Sequence, residues 1–275
     1  MPAGIQLADR DQLWSGPMRG RLKQTMAAGV LLAVSASGCS GQPHPTTSIT
    51  VYASSAMIKS LTAIGKQFEA ENPGTSVEFI FASSSELSAQ LAVGTGADVF
   101  VPGDHDNMAA VANAGLVDST PLPIAANDLV IATAPGSRDH LASFADLARP
   151  GVRVAVCGAP GACGSATRQL QARTGVRLNP QNVDTTGVDV LKDVTSGKVD
   201  AGLVFKTDAL NAGDNVSWFE FPESASATVT SWIATLKDSD QAGLATNFVQ
   251  DVTGPTGRKI FADDGFAEPN SKLTG

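Results

Sequence analysis

The chain has 275 residues, a net charge of −8 and three cysteines. This length fits one large domain or two lobes of ordinary size. The acidic balance argues against a nucleic-acid-binding protein, whose surface needs basic stripes. It also means that an anionic ligand must be held by local dipoles rather than by overall charge.

The N-terminal segment has the pattern of an export signal. A basic segment, residues 19–23, precedes the apolar stretch Ala27–Ala36, which is too short to span a bilayer as a mature helix. The following Ala-Ser-Gly-Cys is typical of a lipoprotein box, so we expect a signal peptide over residues 1–39, cleavage before Cys39 and lipidation of its thiol. Ordinary secretion is the alternative, and Met18 is an alternative start to Met1.

Residues 40–48 are polar and without periodicity, which predicts a tether between lipid and domain. From Ile49 onward, short β-branched runs alternate with helical patterns, which is typical of an α/β fold. The predicted strands are Ile49–Tyr52, Val77–Phe81, Asp98–Val101, Leu129–Thr133, Val152–Cys157, Ala201–Phe205, Val216–Glu220 and Val229–Leu236. The predicted helices are Ala56–Asn72, Ser85–Thr95, Met108–Ala114, Phe144–Ala148, Ser165–Thr174, Val188–Ser196 and Asp240–Val252.

Two serine-rich turns stand where a predicted strand gives way to a predicted helix. They are Tyr-Ala-Ser-Ser-Ala over residues 52–56 and Phe-Ala-Ser-Ser-Ser-Glu-Leu over residues 81–87. Such turns bring hydroxyls and unpaired backbone N–H groups together at a helix start. A single turn of this kind is usually a plain helix cap, but two on neighbouring units can close on one small anion. They therefore predict an anion site made of neutral dipoles.

Two segments are candidates for chain crossings between lobes, one entering the strand at Leu129 and one entering the strand at Val229. This predicts one lobe from residues 48–126 plus 231–275 and another from residues 127–230. In such folds ligands bind at the carboxyl ends of the strands, in the crevice between lobes.

Cys157 and Cys163 are the cysteines that follow Cys39. In an exported protein a close pair is more often a disulfide than a metal site, and no second Cys/His pair stands ready to complete one. We therefore expect a Cys157–Cys163 disulfide. The run Asp104-His105-Asp106 could be a metal cluster, but adjacent polar residues in a loop more often cap a helix or face solvent.

An enzyme is the competing class of function. A Ser-His-Asp hydrolase would have to use His105 or His140, and no Gly-x-Ser-x-Gly motif surrounds any serine. A thiol enzyme would need a free, activated cysteine, which an oxidising compartment disfavours. We therefore expect no enzymatic activity.

Two further features suggest a family when they are taken together with both serine turns. They are the motif Gly-Ala-Asp-Val-Phe at residues 96–100 and the tail from Gly254-Pro255 to Phe266. Together they resemble molybdate-binding proteins, the substrate-binding subunits of bacterial molybdate ABC transporters. The resemblance implies a two-lobed type II periplasmic-binding-protein fold. Each lobe would be a mixed, mostly parallel sheet flanked by helices, and two hinge crossings would join the lobes.

The resemblance also implies what the protein does. It implies high-affinity binding of molybdate or tungstate outside the cytoplasm, with delivery to the membrane permease of an ABC importer. The protein would be an exported, lipid-anchored monomer without a cofactor, and molybdenum would be present only within the bound oxyanion. The alternatives are a receptor for another oxyanion such as sulfate or, further removed, a hydrolase.

The family's ligand residues carry over unevenly. Ser84 takes the place of the second family serine, whereas Ala56 takes that of the first. Either Ala56 contributes only its backbone N–H, or Ser55 supplies the hydroxyl. The family's tyrosine is replaced by Phe205, which has no hydroxyl to donate. The family's backbone donors correspond to Cys163, Gly187 and Val188. Secondary candidates for ligand contacts are Ser54, Ser83 and Gly164.

The donor chemistry of these motifs suits a fully deprotonated oxyanion, which offers acceptors and no donor. None of the candidate ligand residues in these motifs carries a carboxylate, so the sequence predicts a pocket of donors alone. A phosphate pocket would need an acceptor such as Asp for the proton that phosphate keeps at neutral pH. This favours molybdate, tungstate or sulfate over phosphate.

Overall fold

The computed structural model describes residues 47–137 and 141–269. The predicted signal peptide, Cys39 and most of the tether lie outside the described residues. The first strand begins at Thr47, so the last two residues of the predicted tether belong to it. In the described part of the chain, no helix is long and apolar enough to cross a membrane.

The described chain alternates strands and helices. The strands are β1 Thr47–Ser54, β2 Thr75–Ala82, β3 Val99–Val101, β4 Leu122–Asn127, β5 Leu129–Thr133, β6 Val154–Cys157, β7 Asn182–Asp184, β8 Ala201–Phe205, β9 Ser217–Phe219 and β10 Val229–Thr235. The helices are α1 Ile58–Glu71, α2 Ser84–Ala92, α3 His105–Asn113, α4 Ala162–Thr174, α5 Gly187–Thr195, α6 Lys206–Ala212, α7 Ala242–Thr253 and α8 Pro255–Asp263. Short 3-10 turns occupy Ser55–Met57, Phe144–Ala148, Gly213–Asn215 and Ser224–Ala227.

These strands form two five-stranded sheets. The first has the order β2-β1-β3-β10-β4, and the second has the order β7-β6-β8-β5-β9. In the first sheet β10 runs antiparallel to β3 and β4, and in the second β5 runs antiparallel to β8 and β9. The predicted α/β class, with mixed and mostly parallel sheets, is confirmed.

The hydrophobic core is divided in the same way as the sheets. One apolar cluster surrounds β5, β6 and β8 and includes Phe144 and Leu170. Two more pack on the first sheet, one around Phe68 and Phe248, whose rings meet edge to face at 5.4 Å, and one around Phe100. Each sheet is therefore supported by its own buried side chains, and the chain passes between the sheets at Asp128 and again before β10. The division into two movable lobes stays a prediction.

Some elements differ from the sequence prediction. The stretch before Leu129, where no strand was predicted, contains β4, and its Pro123 is tolerated because β4 is an edge strand. The short strand β7 and helices α6 and α8 were also missed. Helix α8 begins with Pro255, at the position where the missing N–H costs nothing. The predicted helix Phe144–Ala148 is a 3-10 turn.

Candidate functional site

A small cavity lies where the carboxyl ends of β1, β2, β6, β7 and β8 converge. Its volume is about 20 Å³. We call it the anion cavity. It is lined by Ser54, Ser55, Ala56, Ser83, Ser84, Cys157, Gly161, Ala162, Cys163, Thr185, Thr186, Gly187, Phe205 and Asp208.

Two serine turns form the wall on the side of the first sheet. Strand β1 ends at Ser54 and gives way to the 3-10 turn that leads into α1. Strand β2 leads to Ser83, which caps α2 by accepting a hydrogen bond from the Glu86 N–H at 3.3 Å. The Ser84 hydroxyl oxygen accepts from the Gly103 N–H at 2.9 Å, so its own proton is free to point at a ligand.

The opposite wall is made of two further helix starts. Gly161 precedes α4, and Thr186 caps α5 by accepting from the Asp189 N–H at 3.2 Å. The first turn of a helix leaves backbone N–H groups without intrahelical partners, and the helix dipole makes that end positive. Both helix starts therefore present donors and partial positive charge to the cavity.

A disulfide ties the second wall together. Cys157, the last residue of β6, is bonded to Cys163 in the first turn of α4, with the two Cα atoms 5.6 Å apart. The closed loop 158–162 carries Gly161 and Ala162, which line the cavity. The bond therefore fixes the position of one helix start relative to the end of its strand.

The two walls touch each other around the cavity. The Asn107 side-chain amide donates to the Pro160 carbonyl at 3.2 Å, and the Thr207 hydroxyl donates to the Ala56 carbonyl at 3.5 Å. At Gly103 an added Cβ would lie 3.1 Å from the Ala162 Cβ, so glycine allows the close approach. These contacts join first-sheet to second-sheet elements beside the cavity.

Most of the ligand residues predicted from sequence line the anion cavity. Ser54, Ser55, Ala56, Ser83, Ser84, Cys163, Gly187 and Phe205 all line the cavity. Two of the candidates do not: the Val188 side chain lies 40% exposed in a neighbouring cleft, and Gly164 packs against the Gly158 backbone. The ligand role of each of these residues stays a prediction.

Several lining residues were missed by the sequence analysis. Three of them, Gly161, Ala162 and Thr186, lie at helix starts. The change from a strand pattern to a helix pattern in the sequence at these points could have identified them. Thr185 follows β7, whose three residues gave no strand pattern. Asp208 sits on α6 without any motif that marks it as a wall residue.

Asp208 corrects the expectation of a wall without carboxylates. No Lys, Arg or His is among the described residues that line the cavity, whereas Asp208 is. Burial raises the pKa of the Asp208 carboxyl to about 7, and a backbone hydrogen bond from Phe205 opposes this shift in part. The site is thus made of neutral donors, helix dipoles and one carboxyl group that is easily protonated.

A larger open cleft of about 790 Å³ lies next to the anion cavity, and we call it the outer cleft. Its wall includes Ile58, Val188 and Leu191 together with Lys59 and Lys192. The Lys59 ammonium is paired with Asp264, and that of Lys192 is paired with Asp189. Both ammonium groups are therefore already engaged by carboxylates.

The acidic loop before α3 serves a structural purpose. Asp104 caps α3 by accepting from the Asn107 N–H at 2.7 Å, and burial raises the pKa of its carboxyl. Within residues 47–137 and 141–269, no group of three His, Cys, Asp or Glu side chains is placed to hold a metal ion. The capping interpretation of this loop is the one that the geometry supports.

Comparison with known proteins gives a consistent result. Residues 49–267 match the family model described as bacterial extracellular solute-binding protein. The chain is 42% identical over 259 residues to the molybdate-binding protein ModA of Mycobacterium tuberculosis, an alignment covering 93% of this chain and 99% of that protein.

Two solved structures share the fold. The periplasmic molybdate-binding protein of Azotobacter vinelandii superposes with a TM-score of 0.68 at 21% identity, over 81% of this chain and 100% of that one. The sulfate-binding protein SubI of Mycobacterium tuberculosis gives 0.69 at 20% identity, over 82% and 88%. At these identities the likeness concerns the fold, the two-lobed periplasmic-binding-protein architecture of type II.

Proposed function

The chain belongs to the bacterial extracellular solute-binding proteins, and within them to the ModA family, and from this premise we propose that its anion cavity binds molybdate. It is a solute receptor rather than an enzyme, and it serves molybdate uptake through an ABC importer. The observation that carries the proposal is the convergence of helix starts and serine hydroxyls on one cavity, in a chain 42% identical to a molybdate-binding protein.

The chemistry of the wall suits this ligand. A dianion loses its hydration shell on entering a closed cavity, so it must be surrounded by hydrogen bonds. Each charge-assisted hydrogen bond contributes roughly 1.5–3 kcal/mol. The hydroxyls of Ser55 and Ser84 and the N–H groups of Ala56, Cys163 and Gly187 are the donors that we assign to the molybdate oxygens.

Two departures from the family pattern are compensated in this assignment. Ala56 contributes its backbone N–H, while the adjacent Ser55 lines the same wall and supplies the hydroxyl. Phe205 presents a buried ring in place of a tyrosine hydroxyl, and the hydroxyl of Thr185 lies in the same wall as an alternative donor. Specificity for molybdate over the smaller sulfate would then depend on cavity size.

Ligand entry requires the two walls to separate. The contacts of Asn107 with Pro160 and of Thr207 with Ala56 hold the cavity shut. We propose that the lobes, 48–126 plus 231–275 and 127–230, swing about the two crossings and that the bound anion favours the closed state. A ligand held by donors from both walls stabilises that state by its differential affinity.

The protein is exported, as its family is extracellular. We further propose that Cys39 is lipidated, that the protein acts as a monomer without a cofactor, and that tungstate binds the same site. The support is the lipoprotein-like run before Cys39 and the fact that molybdate and tungstate are fully deprotonated tetrahedral anions.

The test is calorimetric titration of the purified protein with molybdate, tungstate, sulfate and phosphate in separate experiments. We expect tight 1:1 binding of the first two and no heat of binding from the others. Tight binding of sulfate with none of molybdate would refute the proposal and favour the sulfate receptor.

A further inference from the structure

Asp208 occupies a position that the function of the site does not explain. Of the described residues, Asp208 and Ser55 alone line both the anion cavity and the outer cleft. The Asp208 side chain is buried, with 7% of the residue exposed. Its carboxyl group is therefore part of the partition between a bound anion and the open cleft.

The carboxyl lies directly against the start of α5. A Cβ added to Gly187 would come within 2.1 Å of the Asp208 Oδ2 atom. Gly187 is the first residue of α5, whose N–H groups we assign to the anion. An ionised Asp208 would therefore compete with the anion for the same helix start and repel its charge at short range.

The surroundings supply no neutralising cation in the described structure. Helix α6 packs against α5, β5, β8 and the turn Gly213–Asn215. Neither β5 nor β8 carries a titratable side chain. On α5, Asp189 is paired with Lys192, and Asp193 is paired with Lys198. On α6 itself, Lys206 is paired with Glu220, and the turn Gly213–Asn215 contributes Asp214. Across the outer cleft, Lys59 is paired with Asp264.

Burial without a partner cation favours the neutral acid. It raises the pKa of Asp208 to about 7, so both protonation states are populated near neutral pH before the anion arrives. A bound dianion adds negative charge beside the carboxyl and raises this pKa further. The neutral acid carries an O–H group, which is a donor like the rest of the wall.

We propose that Asp208 accompanies the bound oxyanion in its protonated form, donating its O–H to an oxyanion oxygen. The inference rests on the proposed oxyanion site. Above neutral pH, one proton enters from solvent with each anion, and no covalent bond is made or broken.

The test is calorimetry of molybdate binding between pH 6 and pH 8.5, where molybdate itself is fully deprotonated. Wild-type affinity should fall roughly 30-fold across this range, as expected for binding that needs a group with a pKa near 7 to be protonated. At pH 8, titrations in buffers of different ionisation enthalpy should report uptake of about one proton per molybdate.

Two variants separate Asp208 from its surroundings. Asp208→Asn keeps a donor without a titrating charge, so its affinity should be independent of pH and should exceed that of wild type at pH 8.5. Asp214→Asn is the matched control, because Asp214 lines the outer cleft but not the anion cavity; it should keep the wild-type pH profile.

The outcomes distinguish this inference from the proposed function. Wild-type binding that is tight and independent of pH, without proton uptake, overturns the role of Asp208 and leaves the molybdate site standing. A pH slope that persists in Asp208→Asn overturns it as well. Absence of molybdate binding at every pH overturns the proposed function and this inference with it. The proton uptake of wild type decides the question even if the variant fails to fold.

Discussion

Replacement of Ser84 by alanine removes one hydroxyl from the centre of the first wall. Ser84 is 1% exposed and its oxygen accepts from the Gly103 N–H at 2.9 Å, which leaves its proton for the ligand. A charge-assisted hydrogen bond contributes roughly 1.5–3 kcal/mol. Ser84→Ala should therefore raise the molybdate dissociation constant by roughly 10- to 150-fold.

The same substitution has a second, independent effect. The Gly103 N–H loses its partner, and a buried unpaired donor costs about 1–3 kcal/mol of folding free energy. For a chain of this size we expect the melting temperature of the ligand-free protein to fall by a few degrees. Calorimetric titration gives the dissociation constant, and thermal denaturation without ligand gives the stability.

A matched control separates the two effects. Ser60 is as deeply buried as Ser84, but its hydroxyl donates to Asp264 at 2.7 Å and does not line the anion cavity. Ser60→Ala should lower the melting temperature while leaving the dissociation constant unchanged. If Ser84→Ala binds molybdate within about twofold of wild type, the hydroxyl is not a ligand donor and this reasoning is refuted.

Three other perturbations have expected outcomes. Gly187→Ala places a Cβ 2.1 Å from the Asp208 carboxyl and should weaken molybdate binding at least tenfold in titration, whereas Gly243→Ala, with no heavy atom within 4 Å, should not. Replacing Cys157 and Cys163 together by serine opens a loop of sequence separation 6 and should lower the free energy of unfolding, measured with denaturant, by about 2 kcal/mol and also weaken molybdate binding. An unchanged free energy of unfolding together with an unchanged dissociation constant would contradict the role given to the disulfide. Because the pKa of Asp208 is raised in the folded state, its contribution to the free energy of unfolding is fully present below about pH 4 and is lost as pH rises to about 7. That contribution is on the order of 4 kcal/mol, so the stability difference between Asp208→Asn and wild type should grow over this pH window in urea denaturation.

The parts of the site that could be predicted from sequence are those encoded by local signals. A strand that runs into serines before a helix specifies both the turn and the donors at the helix start, and Ser54, Ser55, Ser83 and Ser84 do meet in one wall. The disulfide partners were separated by few residues in an exported chain, and the structure bonds them. Local chemistry was sufficient in both cases.

The missed features depend on contacts between distant parts of the chain. Strand β4 contains Pro123 and looks like a loop until its place at the sheet edge next to β10 is known. Asp208 reaches the anion cavity because α6 packs on α5 and because Gly187 leaves room for its carboxyl. No periodicity or motif around either residue carries that information.

The most direct test of the central claim is a crystal structure of the protein grown with molybdate, with anomalous diffraction recorded at the molybdenum edge. We predict a single strong peak inside the anion cavity, with oxyanion oxygens within hydrogen-bonding distance of the Ser84 hydroxyl and of the backbone N–H groups of Cys163 and Gly187. A peak in the outer cleft beside Lys59 or Lys192, with the anion cavity empty, would contradict it.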